Sequence, residues 1–101
     1  MSTEQKPRIA IYPGTFDPIT KGHLHLIRRA SRLFDHLIVA VADNPRKKPF
    51  FNYDERMELV TTDIANLPEK HCKITVEGFD TLLIHFARDM GASSIIRGLR
   101  A

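Results

Sequence analysis

The feature that most constrains the fold is an alternation of short apolar runs, rich in β-branched residues, with segments of helical periodicity. Each apolar run is followed by a loop that contains glycine or polar residues, and each helical segment repeats apolar residues at intervals of three and four. Strands that alternate with helices in this way are joined by right-handed crossovers, so the strands run parallel in one sheet. We therefore predict an α/β fold with helices on both faces of a parallel sheet.

The bounds of the elements follow from the apolar runs and from helix start and stop signals. Asn52 and Glu55 are spaced like a capping box at the start of the second helix, Leu67-Pro68 ends it, and Gly91 closes the third helix. Strands are predicted at residues 8–12, 36–42, 73–79 and 94–98. The apolar stripe of the first helix is Leu24, Ile27, Ala30, Leu33 and Phe34. The stripe of the second helix is Met57, Val60 and Ile64, and that of the third is Leu83, Phe86, Ala87 and Met90. No linker or internal repeat marks a second domain, so residues 1–101 are predicted to form one domain.

The composition is that of a globular protein and gives no sign of a membrane segment. The chain has 101 residues, of which 43% are hydrophobic and 27% charged, and it lacks both an apolar run of roughly 20 residues and a signal-like start. We therefore predict a cytoplasmic protein without membrane contact. The single cysteine, Cys72, cannot form an internal disulfide and receives no role, and His25, His36, His71 and His85 match no common metal motif, so no protein metal site is predicted.

The positive charge favours a compact anionic ligand. The net charge is +3, but the 15 lysines and arginines are scattered along the chain, so no nucleic-acid partner is predicted. Lys47 and Lys48 follow the second strand, and Arg97 and Arg100 bracket a glycine after the fourth. In parallel sheets ligands bind outside the carboxyl ends of the strands. The loops at residues 13–22, 43–52, 78–83 and 97–100 all follow strands and are expected to converge on one rim.

The loop after the first strand, YPGTFDPITKGH, carries the strongest sign of a phosphate site. Gly14 is expected to allow a backbone turn that other residues resist, Thr15 offers a hydroxyl, and Gly22-His23 places an imidazole at a helix start, where free N–H groups and the dipole favour phosphate. The loop contains neither a Walker A sequence nor G-x-G-x-x-G. For His23 alone, a surface histidine in an ordinary turn is the alternative. Asp17 is interpreted as structural, because Asp-Pro is a frequent turn former.

Taken whole, this segment resembles the signature of the nucleotidyltransferase superfamily, in which a GTFDP-type turn precedes a (T/H)xGH sequence. The resemblance narrows with Thr20-Lys21-Gly22-His23, Lys47-Lys48-Pro49, Gly78-Phe79 and Arg97-Gly98-Leu99-Arg100-Ala101, which in this order look like the phosphopantetheine adenylyltransferase family and cover the chain after Pro7. The resemblance implies a Rossmann-like nucleotidyltransferase fold. It also implies reversible transfer of the adenylyl group of ATP to 4′-phosphopantetheine, which gives dephospho-coenzyme A and pyrophosphate in coenzyme A biosynthesis.

The resemblance further implies roles for individual residues. Thr15 and His23 would be catalytic: Thr15 would hold the acceptor phosphate in line with the ATP α-phosphorus, and His23 would stabilise the charge that builds on the α-phosphate. Lys47 and Arg97 would bind the acceptor phosphate, and Leu83 would line the pantetheine arm. ATP, accompanied by Mg²⁺, would be bound by Thr15, Phe16, His23, Gly98, Leu99 and Arg100. Members of this family assemble as hexamers.

Several alternatives stay open at this point. Lys47 and Lys48 could belong to a solvated loop, Arg97 could cap a strand end, and Leu83 could be a core residue. The acceptor could be nicotinate mononucleotide or glycerol 3-phosphate, although such relatives usually have histidine where Thr20 stands and lack the RGLR run. The family continues with a serine-rich ISSS-type segment around the ATP phosphates. The chain is therefore expected to be truncated after its fourth strand and inactive alone, or to be a non-catalytic fragment that binds phosphopantetheine or nucleotide.

Overall fold

The computed structural model describes residues 6–43 and 48–97, and the predicted alternation of strands and helices is present in them. The elements are β1 (Ile9–Gly14), α1 (Lys21–Ala30), β2 (His36–Ala42), α2 (Tyr53–Ala65), β3 (Lys73–Phe79), α3 (Leu83–Asp89) and β4 (Ser94–Ile95). The bounds of β2 and β3 coincide with those predicted from their apolar runs. No helix in the described residues is long and apolar enough to cross a membrane.

The strands form one parallel sheet in the order β3-β2-β1-β4. β1 pairs with β2 from Ile9 to Gly14, and β4 adds a short ladder in which Ile95 lies opposite Ile11. The chain adds strands on one side of β1 as far as β3 and then crosses to the other side of β1. The strand order therefore reverses between β1 and β4, and the crevice at their carboxyl ends is where such sheets bind ligands.

Apolar residues cover both faces of the sheet and form two core clusters. The larger cluster lies between the sheet and the helices α1 and α2, and it includes Ile27 of α1 and Val60 of α2. The smaller cluster includes Ala87 of α3. Successive residues of a strand point to opposite faces, and Tyr12 of β1 belongs to the larger cluster whereas Ile11 belongs to the smaller. The prediction of helices on both faces is therefore confirmed.

The helix start and stop signals of α2 and α3 act as predicted. The Asn52 side chain accepts a hydrogen bond from the Glu55 N–H at 2.8 Å, and the Glu55 carboxylate accepts one from the Asn52 N–H at 2.9 Å. α2 ends at Ala65, just before Leu67-Pro68. Gly91, which follows α3, has a φ of 72°, in the left-handed region that glycine adopts without a steric penalty. The capping box and the glycine stop are both confirmed.

α1 is shorter than the predicted helix. It ends at Ala30, with Ser31 as its C-cap, and Leu33 is 62% exposed. Ser31 is buried and its hydroxyl donates to the Arg28 carbonyl at 2.7 Å, a local bond that competes with continuation of the helix. The prediction that Leu33 belongs to the apolar stripe is therefore wrong, whereas Phe34 still packs against the larger cluster.

β1 and β4 also differ from their predicted bounds. β1 continues beyond residue 12 to Gly14, because β2 pairs with it to this point. β4 comprises only Ser94–Ile95 within the described residues, although the Ile96 N–H still donates to the Ile11 carbonyl at 2.8 Å. The longer β1 carries Pro13-Gly14 into the sheet and leaves residues 15–20 to form the rim.

Candidate active site

The loop from Thr15 to Thr20 lies at the carboxyl end of β1, beside the point at which the strand order reverses. α1 begins directly after this loop, at Lys21, so the N-terminus of α1 lies at the same rim. A helix N-terminus presents free N–H groups and the positive end of the helix dipole. The fold therefore brings Thr15, Phe16 and His23, three of the predicted site residues, to one place.

Phe16 is the strained residue of this loop. Its φ is 51°, in the left-handed region that costs a non-glycine residue about 1–2 kcal/mol, and it is buried. Its ring stands edge-on to the rings of Tyr12 and His23, with centroid distances of 5.5 and 4.9 Å. A Cβ on Gly14 would lie 3.0 Å from the Phe16 ring. The backbone role predicted for Gly14 is therefore wrong: Phe16 makes the left-handed turn, and Gly14 leaves room for its ring.

His23 is the third residue of α1 and forms a capping box with Thr20. The Thr20 hydroxyl accepts a hydrogen bond from the His23 N–H at 3.3 Å, and Nδ1 of His23 accepts one from the Thr20 N–H at 2.9 Å. The imidazole occupies the place that glutamate or glutamine takes in the usual box. The TKGH run is therefore a helix start in which the histidine ring is held by its own helix.

The bond to Thr20 determines which nitrogen of His23 carries the proton. A backbone N–H can only donate, so Nδ1 must be unprotonated and the ring proton lies on Nε2. Burial lowers the pKa of His23, which favours the same neutral form. No acidic residue lies in the first turn of α1. The Nε2–H group and the free N–H groups of this turn can together bind an anion such as phosphate.

Arg56 belongs to this site, although sequence reasoning did not identify it. The residue is only 3% exposed despite its charge. Its Nη1 donates to the carbonyls of Thr15 at 2.9 Å and Ala42 at 2.8 Å, and its Nε donates to the carbonyl of Phe51 at 3.0 Å. One signal could have revealed it. Arg56 precedes the buried Val60 by four residues, so the apolar stripe extended by one turn reaches Arg56.

Asp17 links the same loop to the segment before α2. Its carboxylate accepts hydrogen bonds from the N–H groups of Phe50 at 2.7 Å and Phe51 at 2.9 Å. The interpretation of Asp17 as a structural residue agrees with these contacts, but the bonds reach another loop and do not form a local turn. The loop at residues 15–20 and the segment before α2 are thereby held together.

At the β3 end of the rim, Tyr53 packs over Gly78. A Cβ on Gly78 would lie 1.5 Å from the Tyr53 hydroxyl oxygen, so a larger residue does not fit while the ring stays in place. Burial raises the pKa of Tyr53, and the carboxylates of Asp43 and Asp54 act in the same direction. The phenol is therefore protonated at neutral pH and can donate a hydrogen bond. The guanidinium carbon of Arg56 lies 5.8 Å from the centre of the Tyr53 ring.

The remaining predicted site residues lie elsewhere on the rim or outside the residues that the structure describes. Leu83 begins α3 and packs against the smaller core cluster, which agrees with its reading as a core residue, and its contact with a ligand stays a prediction. Arg97 is exposed after β4 and lines an open depression with Gly22, Leu26 and Arg29 of α1. Lys47, Gly98, Leu99 and Arg100 lie outside the described residues.

Other candidate metal-binding or reactive side chains have different partners. The His36 ring bonds to the Thr75 hydroxyl at 2.8 Å, and Nε2 of His71 accepts from Nε of Arg32 at 3.2 Å. Burial raises the pKa of the Cys72 thiol, which disfavours the reactive thiolate. In residues 6–43 and 48–97, no three His, Cys, Asp or Glu side chains are grouped so that they could hold a metal ion.

Comparison with known proteins agrees with the resemblance drawn from the motifs. A family model described as cytidylyltransferase-like matches residues 11–101. The chain is 52% identical over 96 residues to a protein of Rhodospirillum centenum and 54% identical over 92 residues to one of Nautilia profundicola, both named phosphopantetheine adenylyltransferase. These matches cover 95% and 91% of this chain and 52% and 57% of the relatives. The chain therefore spans about half the length of the curated relatives it matches.

Two solved structures share the fold. The lipopolysaccharide core biosynthesis protein from Thermoplasma volcanium has a TM-score of 0.66 and 21% identity, over 89% of this chain and 73% of that protein. A bifunctional NMN adenylyltransferase/ADP ribose pyrophosphatase from Francisella tularensis, complexed with AMP and an Mn ion, has a TM-score of 0.62 and 21% identity, over 84% of this chain and 26% of that protein. At this level of identity the two structures support the α/β fold alone.

Proposed function

The chain belongs to the cytidylyltransferase-like family, and on this premise we propose that the protein transfers the adenylyl group of ATP to 4′-phosphopantetheine. The observation that carries the proposal is the neutral His23 ring, held by Thr20 at the N-terminus of α1 with Nε2–H as its remaining donor. Relatives named for this activity are 50–54% identical to the chain. Because the chain spans about half their length, the activity is proposed for the gene product at its natural length.

The proposed step is a displacement at the α-phosphorus of ATP. A phosphate oxygen of the acceptor forms a bond to the α-phosphorus, the bond from the α-phosphorus to the pyrophosphate oxygen breaks, and pyrophosphate leaves with the bonding electrons. Dephospho-coenzyme A is the other product. The acceptor phosphate is already anionic and needs no strong base, so positioning and charge neutralisation account for most of the catalysis.

In this reaction His23 acts as a donor that stabilises charge. Its Nε2–H would donate to a nonbridging oxygen of the α-phosphate, where negative charge grows in the transition state. The bond from the Thr20 N–H and the edge-on ring of Phe16 fix the imidazole, so the donor is oriented before the reaction begins. The free N–H groups at the start of α1 add to the same field.

The other predicted residues complete the proposal. Thr15 would orient the acceptor phosphate in line with the α-phosphorus, Lys47 and Arg97 would bind that phosphate by charge-assisted hydrogen bonds, and Leu83 would line the pantetheine arm. The ATP side would be completed by Phe16, Gly98, Leu99 and Arg100. The position of Arg97 beside the start of α1 also suits a contact with the ATP phosphates. Titrations with ATP and with 4′-phosphopantetheine therefore have to show which of these two ligands Arg97 binds.

Mg²⁺ is proposed to enter as a complex with ATP. The described residues offer no group of three metal-binding side chains, and Mg²⁺ commonly binds through substrate phosphates with one or two carboxylates. When bound, the ion neutralises charge on the pyrophosphate that leaves. A hexamer in the cytoplasm is the assembly and location that we propose from the resemblance.

The experiment that tests the function measures pyrophosphate release from ATP and Mg²⁺ by the gene product at its natural length. 4′-Phosphopantetheine should support release, and pantetheine without its phosphate should not. Nicotinate mononucleotide and glycerol 3-phosphate are the matched alternative acceptors. Pyrophosphate release with one of these two acceptors and none with 4′-phosphopantetheine would show that the enzyme uses that other acceptor. Pyrophosphate release without any acceptor would reject adenylyl transfer.

A second experiment tests the acceptor residues by titration calorimetry. Lys47→Met and Arg97→Met should each weaken 4′-phosphopantetheine binding about tenfold to a hundredfold, because each removes a hydrogen bond from a charged group. Binding of pantetheine, which lacks the phosphate, should change far less. Equal losses for the two ligands would contradict the assignment. A larger loss for ATP than for 4′-phosphopantetheine in Arg97→Met would assign Arg97 to the ATP side.

A further inference from the structure

Among the residues that the structure describes, Arg56 is the one charged residue that is buried. A guanidinium stays protonated in proteins, and its burial is costly unless its N–H groups are bonded. The ion pairs formed within the described residues, Arg8–Asp35 and Arg28–Glu69, lie elsewhere. The proposed reaction does not yet use Arg56, although its side chain ends at the rim.

The three acceptors of Arg56 come from three segments of the rim. Thr15 belongs to the loop after β1, Ala42 is the last residue of β2, and Phe51 precedes α2. Nη1 bonds to the first two at once, at 2.9 and 2.8 Å. One nitrogen therefore lies between the carbonyls at the ends of two neighbouring strands, and it limits how far they can separate.

Asp17 binds the same residue, Phe51. It accepts the Phe51 N–H at 2.9 Å, while Arg56 donates to the Phe51 carbonyl at 3.0 Å. Asp17 belongs to the loop after β1 and Arg56 to α2. The loop after β1 and the segment before α2 are thus joined by two side chains, Asp17 from the loop itself and Arg56 from α2. This arrangement opposes small displacements of either segment.

We propose that Arg56 is a positioning residue that sets the separation between the loop of Thr15 and the end of β2 at Ala42. The inference rests on the proposed function, in which Thr15 orients the acceptor phosphate in line with the α-phosphorus. Reacting atoms must approach within about 3–3.5 Å, and a misplacement of about 1 Å lowers the rate roughly a hundredfold. Arg56 acts on this distance through the backbone carbonyls of Thr15 and Ala42.

Two variants separate the geometry of the guanidinium from its charge. Arg56→Lys keeps the positive charge but replaces the planar fork by a single nitrogen, and Arg56→Met keeps an apolar stem without charge. The matched control is Arg88→Met, which changes an exposed arginine in the last turn of α3. Each variant is assayed in the gene product at its natural length, below its melting transition, with the rate divided by the folded concentration from circular dichroism.

Both Arg56 variants should lower kcat about tenfold to a hundredfold while KM for ATP changes no more than about twofold. Arg88→Met should have the kcat of the natural protein. A role confined to stability would lower the melting temperature and leave kcat per folded molecule unchanged, and this result would overturn the proposal. Full activity in Arg56→Lys would also overturn it, because charge alone would then suffice.

A measurement without substrate separates this proposal from the proposed function. In NMR spectra, the amide resonances of Phe16 and Asp43 report on the carbonyls of Thr15 and Ala42, because each amide shares a peptide group with one of them. Both resonances should shift in Arg56→Lys and stay in place in Arg88→Met. Unmoved resonances in Arg56→Lys would reject the positioning role even in an active enzyme. Shifted resonances in a protein that transfers no adenylyl group would retain it while the proposed function fails.

Discussion

α1 and α2 both begin with a capping box, and in both the third helical residue accepts a hydrogen bond from the N-cap N–H at 2.9 Å. In α2 this residue is Glu55, and Asp54 lies beside it in the first turn, so two carboxylates face the positive end of the helix dipole. In α1 it is His23, whose ring is neutral, and the first turn has no acidic residue. The start of α2 is therefore compensated by its own side chains, whereas that of α1 is open to an anion from outside.

The difference shows that one backbone motif can serve two purposes. A glutamate completes the cap, but its charge repels a phosphate at the same helix end. A histidine accepts through Nδ1 and still has a donor at Nε2, so it completes the cap and can bind an anion at the same time. The three-residue spacing is shared by both helices, and the chemistry of the third residue decides which helix start can bind an anion.

The largest effect should follow from removal of the His23 ring. His23→Ala should lower kcat by a factor of roughly 10² to 10³, the usual loss for one donor to transition-state charge, and should change ATP affinity by only a small factor. Glu55→Ala is the matched control, since it removes the equivalent residue of α2. It should affect stability and leave kcat unchanged. Steady-state kinetics of both variants test this prediction. An unchanged kcat in His23→Ala would reject the proposed catalytic role of His23.

The next effect comes from giving α1 the chemistry of α2. His23→Glu can rebuild the box with Thr20, so the melting temperature should stay close to that of the natural protein. The added carboxylate should weaken ATP binding by roughly tenfold, because it compensates the helix dipole and repels phosphate. Calorimetric titration with ATP measures this, with the neutral His23→Gln as the control. Equal ATP affinity in the two variants would show that the open end of α1 does not contribute to binding.

The parts of the molecule that could be predicted from the sequence are those set by local patterns. β2 and β3 are continuous apolar runs and have their predicted bounds. The α2 box depends on residues three apart. The end of α1 could not be predicted in this way. Leu33 keeps the helical interval, but the helix ends before it, at Ala30, where the Ser31 hydroxyl bonds to the Arg28 carbonyl and competes with continuation of the helix.

Contacts between distant residues account for what sequence reasoning did not find in the site. Arg56 bonds to Thr15, 41 residues earlier in the chain, and a charged residue on a helix is ordinarily expected to face solvent. The packing of Tyr53 on Gly78 likewise joins separate elements. Thr15, Phe16 and His23 could be proposed from the sequence because they lie within one loop and the helix start that follows it. The predictions for Lys47 and for residues 98–100 concern positions outside the described ranges.

A smaller effect is expected from removal of the α2 cap. Asn52→Ala removes the oxygen that accepts the Glu55 N–H and should lower the free energy of unfolding by about 1 kcal/mol. No change in kcat is expected, because the start of α2 is compensated by its own side chains. Denaturant unfolding and steady-state kinetics of the same preparation test both statements. A fall in kcat per folded molecule would mean that the two helix starts are less different in function than their chemistry indicates.

The smallest effect is a pH dependence of the α1 cap. Nδ1 of His23 accepts the Thr20 N–H only while it is unprotonated, and burial lowers the pKa of this ring in the folded chain. The unfolded chain binds the proton more readily, at about pH 6.5. The stability from this source is therefore complete above about pH 6.5 and is lost as the pH falls toward the folded pKa.

His23→Gln isolates this dependence, because glutamine also completes a capping box and does not titrate. Between about pH 7.5 and about pH 5 the natural protein should lose more thermal stability than His23→Gln, and above this range the two should change in parallel. Burial also lowers the pKa of His36, but His36 is present in both proteins and cancels in the comparison. Equal losses would mean that the His23 ring does not hold the cap in solution, and the neutral Nε2 donor on which the proposed chemistry depends would lose its structural basis.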